Sequence, residues 1–171
     1  MTWLYIAIAV LAALFILPIV IGSFMPREFE AFVRRRIDAD AERIWAALND
    51  YQNQPASGRM CRGVEALPDA NGLPAWREDL GSSKTRNTIV VSDPPQRLVR
   101  RMEDEVVPLR VECEYRVSPA DGGCDVTAMA RGTIDRGTWH VPMFKFMIHV
   151  FGGIRKGQKQ YLNAIAARVA K

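Results

Sequence analysis

The first charged residue in the chain is Arg27, and 21 of the 26 residues before it are apolar. All 23 Lys and Arg and all 19 Asp and Glu therefore lie in the remaining 145 residues of a 171-residue chain. A helix that is apolar all round has to be covered on every side by protein or lipid. At ~1.5 Å per residue, Trp3 to Ile21 reaches roughly the ~30 Å of a bilayer's hydrocarbon core. A cleavable signal peptide calls for a basic start and a small-x-small exit, and neither is present. Residues 1–26 are thus expected to form a retained single-pass anchor that contacts the membrane through residues 3–21. Trp3 and Tyr5 suit one interface, and Pro18 is tolerable within a span. Arg27, Arg34, Arg35 and Arg36 follow the span and no basic side chain precedes it, which places the globular part, residues 27–171, in the cytoplasm.

A segment of 145 residues is an ordinary domain size and needs no metal or disulfide staple. Twelve Gly and ten Pro, with no repeat or sustained heptad, exclude collagen, coiled-coil and solenoid architectures. Cys61, Cys113 and Cys124 are odd in number and widely spaced, so they make no disulfide framework. A net charge of +4 is small. Its densest cluster, Arg34-Arg35-Arg36, adjoins the span, where anionic lipid is the nearer partner at ~1 kcal/mol per basic side chain. With no aromatic-plus-basic stripe and no recognition helix, nucleic acid is not an expected partner.

Periodicity orders the domain. Phe29 to Ile37 alternates as a strand, with Phe29, Ala31, Val33 and Ile37 on one face and Arg35 interrupting it. Asp40 suits the N-cap of a short helix carrying Ile44, Leu48 and Tyr51, and residues 52–59 read as a break or an irregular helix. Strands follow near Cys61–Leu67, Ala75–Leu80, Arg86–Ser92, Arg97–Glu103, Leu109–Val117 and Cys124–Ile134, separated by Gly, Pro, Asn and Asp turns. Small residues at Ala128, Ala130 and Gly132 leave room above the sheet. From Pro142 to Val169 a three-to-four apolar spacing predicts one long helix. Gly152, Gly153 and Gly157 mark a kink or a tight contact within it, ahead of a membrane dimer motif. The stretch from Met143 to Phe151 is apolar nearly all round. It reads as a helix end buried on two sides, or as a greasy gate to a cavity or a second touch on the bilayer.

This element order covers nearly all of residues 27–170. The segment Arg35-Arg36-Ile37-Asp38-Ala39-Asp40-Ala41-Glu42-Arg43-Ile44-Trp45-Ala46-Ala47-Leu48-Asn49-Asp50 resembles the opening I-x-A-x-x-E-x-V-W/F-x-x-L-x-D of START-like (SRPBCC) proteins. A single N-terminal span before such a domain is similar to a membrane-anchored, polyketide-cyclase-like bacterial branch of that superfamily. Relatives often carry tryptophans after the first helix, whereas this chain has Tyr51-Gln52-Asn53-Gln54-Pro55. The resemblance implies an α+β helix-grip fold: a curved antiparallel sheet of about seven strands wrapped on a long C-terminal helix, preceded by one transmembrane helix. It also implies an elongated apolar cavity for a hydrophobic small molecule or lipid.

The expected lining is Trp76, Leu98, Met102, Leu109, Val111, Cys113, Tyr115, Met147, Phe151 and Ile154, each equally readable as plain core. Strand parity puts Arg100 with Leu98 and Met102, and Glu78 with Trp76 and Leu80. A buried charge requires a partner, so Arg100 would pair with Glu78, or either with a polar ligand group. A bulge or slip turns both to solvent, and solvated surface is the weightier of the two readings. His140 and His149 lack the spacing of a metal pair, and no nucleophile, phosphate-loop or dinucleotide motif occurs. Neither metal nor cofactor is expected, and no residue is assigned as catalytic. The sequence thus favours a membrane-tethered carrier or sensor over catalysis. The alternatives are a cyclase or dehydratase using Arg100, Glu78, Tyr115 or His140 as acid and base, and a ligand-free interaction module.

Overall fold

A computed structural model of the chain describes residues 2–53, 58–135 and 140–170. Helix α1 (Thr2–Phe24) precedes strand β1 (Glu28–Ile37), helix α2 (Ala41–Asn49) and a single 3-10 turn (Gly58–Met60). Six strands follow: β2 (Gly63–Ala70), β3 (Leu73–Asp79), β4 (Lys84–Asp93), β5 (Arg97–Asp104), β6 (Leu109–Ala120) and β7 (Gly123–Ile134). Helices α3 (Val141–Phe151) and α4 (Gly153–Val169) close the chain. The residues read as a break at 54–57 lie outside the described residues.

The strands make one seven-stranded antiparallel sheet in the order β1-β7-β6-β5-β4-β3-β2. Strands β2 to β7 are successive neighbours, and β7, the last strand, comes back to pair with β1. Alternation fixes the register. In β6, Val111, Cys113, Tyr115 and Val117 are buried while Arg110, Glu112 and Arg116 face water. The covered face packs on α2 and α4. Asp40 caps α2 by accepting from the Arg43 N–H at 2.7 Å, and the helix buries Ile44, Ala47 and Leu48. Helix α4 contributes Tyr161, Leu162, Ile165 and Val169 to the same core. Cys113 pairs in register with Ala130 while Cys124 sits beside Pro119, and all three cysteines are free thiols.

The single long C-terminal helix is corrected to two. Gly152 adopts φ 60° and ends α3 in the left-handed conformation, where a Cβ would be strained, and α4 starts anew from it. The kink reading holds at Gly152. At Gly157 there is no close approach, since an added Cβ would meet nothing within 4 Å. Close approach occurs instead at Gly22, where a Cβ would lie 1.9 Å from the Pro142 carbonyl oxygen, so α3 packs directly on the end of α1.

The 23 residues of α1 form a helix long and apolar enough to cross a membrane. Trp3, Leu11 and Phe15 are 84%, 68% and 58% exposed, so protein does not cover this helix along most of its length.

Candidate functional site

Rows of side chains run across the covered face of the sheet, and the strand register determines their members. One row is Phe29, Gly132, Val111, Met102, Asn87 and Trp76. The next is Ala31, Ala130, Cys113, Arg100 and Ile89, and a third contains Val33, Ala128, Tyr115 and Leu98. The small β7 residues do not leave open space throughout: the Phe29 ring lies directly over Gly132, where an added Cβ would fall 2.4 Å from its Cζ. Trp76, Leu98, Arg100, Val111, Cys113 and Tyr115 are all buried.

Arg100 is the centre of this interior. It is 0% exposed, and its guanidinium carbon lies 5.0 Å from the Trp76 ring, 5.6 Å from Tyr115 and 5.4 Å from Tyr161. A guanidinium over aromatic faces is held by their quadrupoles, most strongly where water is excluded. Nη2 donates to the Leu48 carbonyl at 3.1 Å and to the Tyr161 hydroxyl at 3.2 Å. Nε and Nη1 are buried with no hydrogen-bond partner. Burial pulls the Arg100 pKa down, but Tyr161, Tyr115 and Glu78 outweigh it and hold the group above its ordinary value, so the charge stays.

Glu78 is also 0% exposed, and its Oε1 accepts from Trp76 Nε1 at 2.9 Å. The parity that points both charges inward is therefore the one realised, and the solvated-surface reading is corrected. The direct pairing is corrected too: Glu78 acts on Arg100 through space, with Trp76 hydrogen-bonded to one and stacked near the other. A second polar chain lies alongside. The Tyr115 hydroxyl donates to Gln158 Oε1 at 3.1 Å, and Gln158 Nε2 donates to Cys113 Sγ at 3.2 Å. Burial pushes the Cys113 thiol up to about 11 and Tyr115 well above its usual value, so both groups stay protonated at neutral pH.

Two expected lining residues sit elsewhere. Met147 and Phe151 are 47% and 50% exposed, because α3 turns them away from the sheet and the break at Gly152 uncouples them from α4. Met102, Leu109 and Ile154 are half-buried against the core. His140 starts α3 with its ring 5.7 Å from Phe144, and His149 Nε2 lies 3.1 Å from the Pro26 carbonyl.

Four site residues escaped the sequence reading. Asn87, fully buried with Oδ1 unpartnered, shares the strand parity of Thr85 and Ile89. Gln158 and Tyr161 stand four and seven residues after Ile154 on the face of α4 that carries Leu162 and Ile165. Tyr51, half-exposed, stacks on Trp76 with centroids 4.3 Å apart, and so lies between solvent and the Arg100 cage.

A concavity of about 660 Å³ lies on the opposite, outer face of the sheet. Its walls include Glu30, Arg101, Glu112 and Arg131, ion-paired as Arg131–Glu30 at 3.4 Å and Arg101–Glu112 at 3.3 Å. Exposed pairs of this kind contribute little, and the charges cancel one another rather than converge on a ligand. No cluster of His, Cys, Asp and Glu able to hold a metal occurs among the described residues.

A seven-stranded antiparallel sheet packed on a C-terminal helix, with a short helix between its first two strands, is the helix-grip architecture. Residues 29–170 match the family described as polyketide cyclase/dehydrase and lipid transport, and the chain belongs to that family. No curated protein gives a significant sequence match. Among solved structures, the ZhuI aromatase/cyclase of Streptomyces sp. R1128 superposes with a TM-score of 0.65 at 14% identity, over 84% of this chain and 94% of that one. Protein CV1439 of Chromobacterium violaceum gives 0.60 at 16% identity over 86% and 99%. The di-domain aromatase/cyclase StfQ of the steffimycin pathway gives 0.57 at 11% identity, over 85% of this chain and 52% of that one. At these identities the likeness establishes the fold. It also corrects the expectation that catalysis is the lesser reading, since several of these structures are named as cyclases and aromatases and this architecture is one on which such enzymes are built.

Proposed function

We propose that this protein is a cyclase- or dehydratase-like enzyme, tethered to the membrane by α1, that acts on an apolar substrate bearing carbonyl or hydroxyl oxygens at Arg100. The observation that carries the reading is the pair of buried, unpartnered donors on the Arg100 guanidinium. Buried polar atoms are almost always satisfied, so each of these orphan donors marks a place for an acceptor, Nε on the edge it shares with Nη2 and Nη1 on the other side of the guanidinium. An enolate or alkoxide oxygen forming on a substrate is such an acceptor. Charged donors fixed in a water-free site stabilise it more in the transition state than in the ground state.

The neighbours supply the remaining parts. The Tyr161 hydroxyl, which accepts from Arg100 Nη2 at 3.2 Å, keeps its own proton to give and is the assigned proton donor. Tyr115, held protonated by burial, is a donor rather than a base. Glu78, the carboxylate that acts on Arg100 through space, is the assigned proton acceptor. Trp76, Leu98, Val111 and Cys113 would contact the apolar body of the ligand, with Met102 and Ile154 at the margins. Entry requires Tyr51 to leave Trp76, because the cage is closed to solvent with the two rings stacked. The family's description includes lipid transport as well as cyclisation, and the favoured reading here is cyclisation because a carrier of a purely apolar molecule has no use for a caged cation.

The test is turnover. Full-length protein in lipid nanodiscs is incubated with aromatic poly-β-ketone thioester surrogates and the products are analysed by mass. Loss of water from the substrate with wild type, abolished in Arg100→Met, is the expected result. Equal product from both proteins, or none from either, overturns the assignment.

A further inference from the structure

Helix α3 is apolar on more sides than the domain covers. Val141 is buried and Ile148 packs against the core, which accounts for one side. A second side meets the exit of α1. Pro142 lies on Gly22, and Lys145, 7% exposed, donates through Nζ to the Ser23 carbonyl at 3.2 Å and the Met25 carbonyl at 2.7 Å. His149 Nε2 then lies 3.1 Å from the Pro26 carbonyl. Lysine thereby takes up carbonyls that the end of a helix leaves without intrahelical donors. The contacts pair 142 with 22, 145 with 23 and 25, and 149 with 26, so α3 is pinned alongside the last turn of α1 and its outgoing segment. The remaining side carries Phe144, Met147, Val150 and Phe151, 37–51% exposed, and Phe24 at the end of α1 is 87% exposed. Residues 144, 147 and 151 share one helix face.

We infer that α3 is a second membrane-contacting element, lying in the surface of the same bilayer that α1 crosses, with Phe144, Met147, Val150 and Phe151 turned into the lipid. The inference rests on reading α1 as an anchor. If Trp3–Ile21 fills the hydrocarbon core, the residues that follow it, Gly22 to Met25, sit at the headgroup boundary, and the contacts above hold α3 at that level. A contiguous exposed apolar patch marks an interaction surface, and continuity with the membrane-spanning segment makes lipid the occupant. Charge agrees. Helix α3 contains no Asp or Glu, and Arg155 and Lys156 follow it at the start of α4, where anionic headgroups would meet them. A concavity of about 410 Å³ between β1 and the α3–α4 junction, lined by Phe29, Ile148 and Ile154 among others, is then placed at the bilayer surface.

Photo-crosslinking of the full chain tests this. The photoreactive residue p-benzoylphenylalanine is placed singly at Met147, Val150, Leu11 and Arg116, and each protein is reconstituted in phosphatidylcholine vesicles containing phosphatidylglycerol. Arg116 is exposed toward the far end of β6 from α3. Lipid adducts by intact mass at Met147, Val150 and Leu11, with none at Arg116, are the expected result. Adducts at Leu11 with none at Met147 and Val150, or protein–protein cross-links there in their place, overturn the inference and leave the anchor standing. Absence of adducts at Leu11 removes the anchor and the inference together.

Discussion

Arg100 of β5 donates to the hydroxyl of Tyr161 of α4 at 3.2 Å, and both side chains lie within the core. This bond joins the sheet to the helix it grips, and Tyr161 Oη also lies 3.5 Å from the Leu48 carbonyl at the end of α2. Replacing Tyr161 by Phe deletes the acceptor while preserving the ring over the guanidinium. A buried bond to a charged group is worth about 1.5–3 kcal/mol. Urea unfolding of Tyr161→Phe is expected to show a loss of that order with unchanged m-value, and a loss within ~0.3 kcal/mol would show that the bond is not formed.

Arg100→Met separates function from stability. A buried cation with two unsatisfied donors is costly to the folded state, and an apolar residue of similar volume in such a place is often neutral or stabilising by 1–4 kcal/mol. The variant is expected to unfold at the same or higher urea concentration. A loss of several kcal/mol would show that the cage exists to hold the fold.

Cys113 gives the interior a pH signature. Its thiol is pushed from an ordinary 9.0 to about 11 by burial, so between those values the unfolded chain loses a proton that the folded one keeps. The folded state binds more protons there, and stability, full below pH 9, falls as pH rises toward 11. Two units correspond to about 3 kcal/mol at most. Alkaline unfolding curves of Cys113→Ala are expected to fall less steeply over this window than wild type, and parallel curves would place the thiol in contact with water.

Two glycines are expected to respond in opposite directions. Gly22→Val forces a side chain onto the Pro142 carbonyl and is expected to destabilise the α1–α3 contact by the ~1–3 kcal/mol of overpacking. Gly157→Ala fills open space in a helix interior and is expected to stabilise by about 1 kcal/mol. Thermal unfolding of the two variants in the same detergent checks the pair.

The sheet was legible because residues such as Val111, Cys113, Tyr115 and Val117 alternate with charges, and a period of two permits one assignment of faces. The same alternation contained Asn87 and the inward direction of Arg100 and Glu78, but parity alone cannot exclude a bulge, and one does occur in β4 between Ile89 and Val91. The cage itself was not legible, since Tyr161 reaches Arg100 from 61 residues away and nothing local distinguishes it from an ordinary core tyrosine. Met147 and Phe151 were misplaced because an apolar period cannot say which element, if any, covers a face. The break at Gly152 was visible as a weak point, while its positive φ depends on where α3 and α4 each find a surface to pack on.

The central claim is that Arg100 holds a developing oxyanion on an apolar ligand. Calorimetric titration of the full-length protein with a naphtholate and with naphthalene, in wild type and in Arg100→Met, measures it directly. The account predicts that Arg100→Met weakens naphtholate binding by roughly ten- to hundredfold, the equivalent of one charged hydrogen bond, and leaves naphthalene binding unchanged. Equal affinity of the two proteins for naphtholate would contradict it.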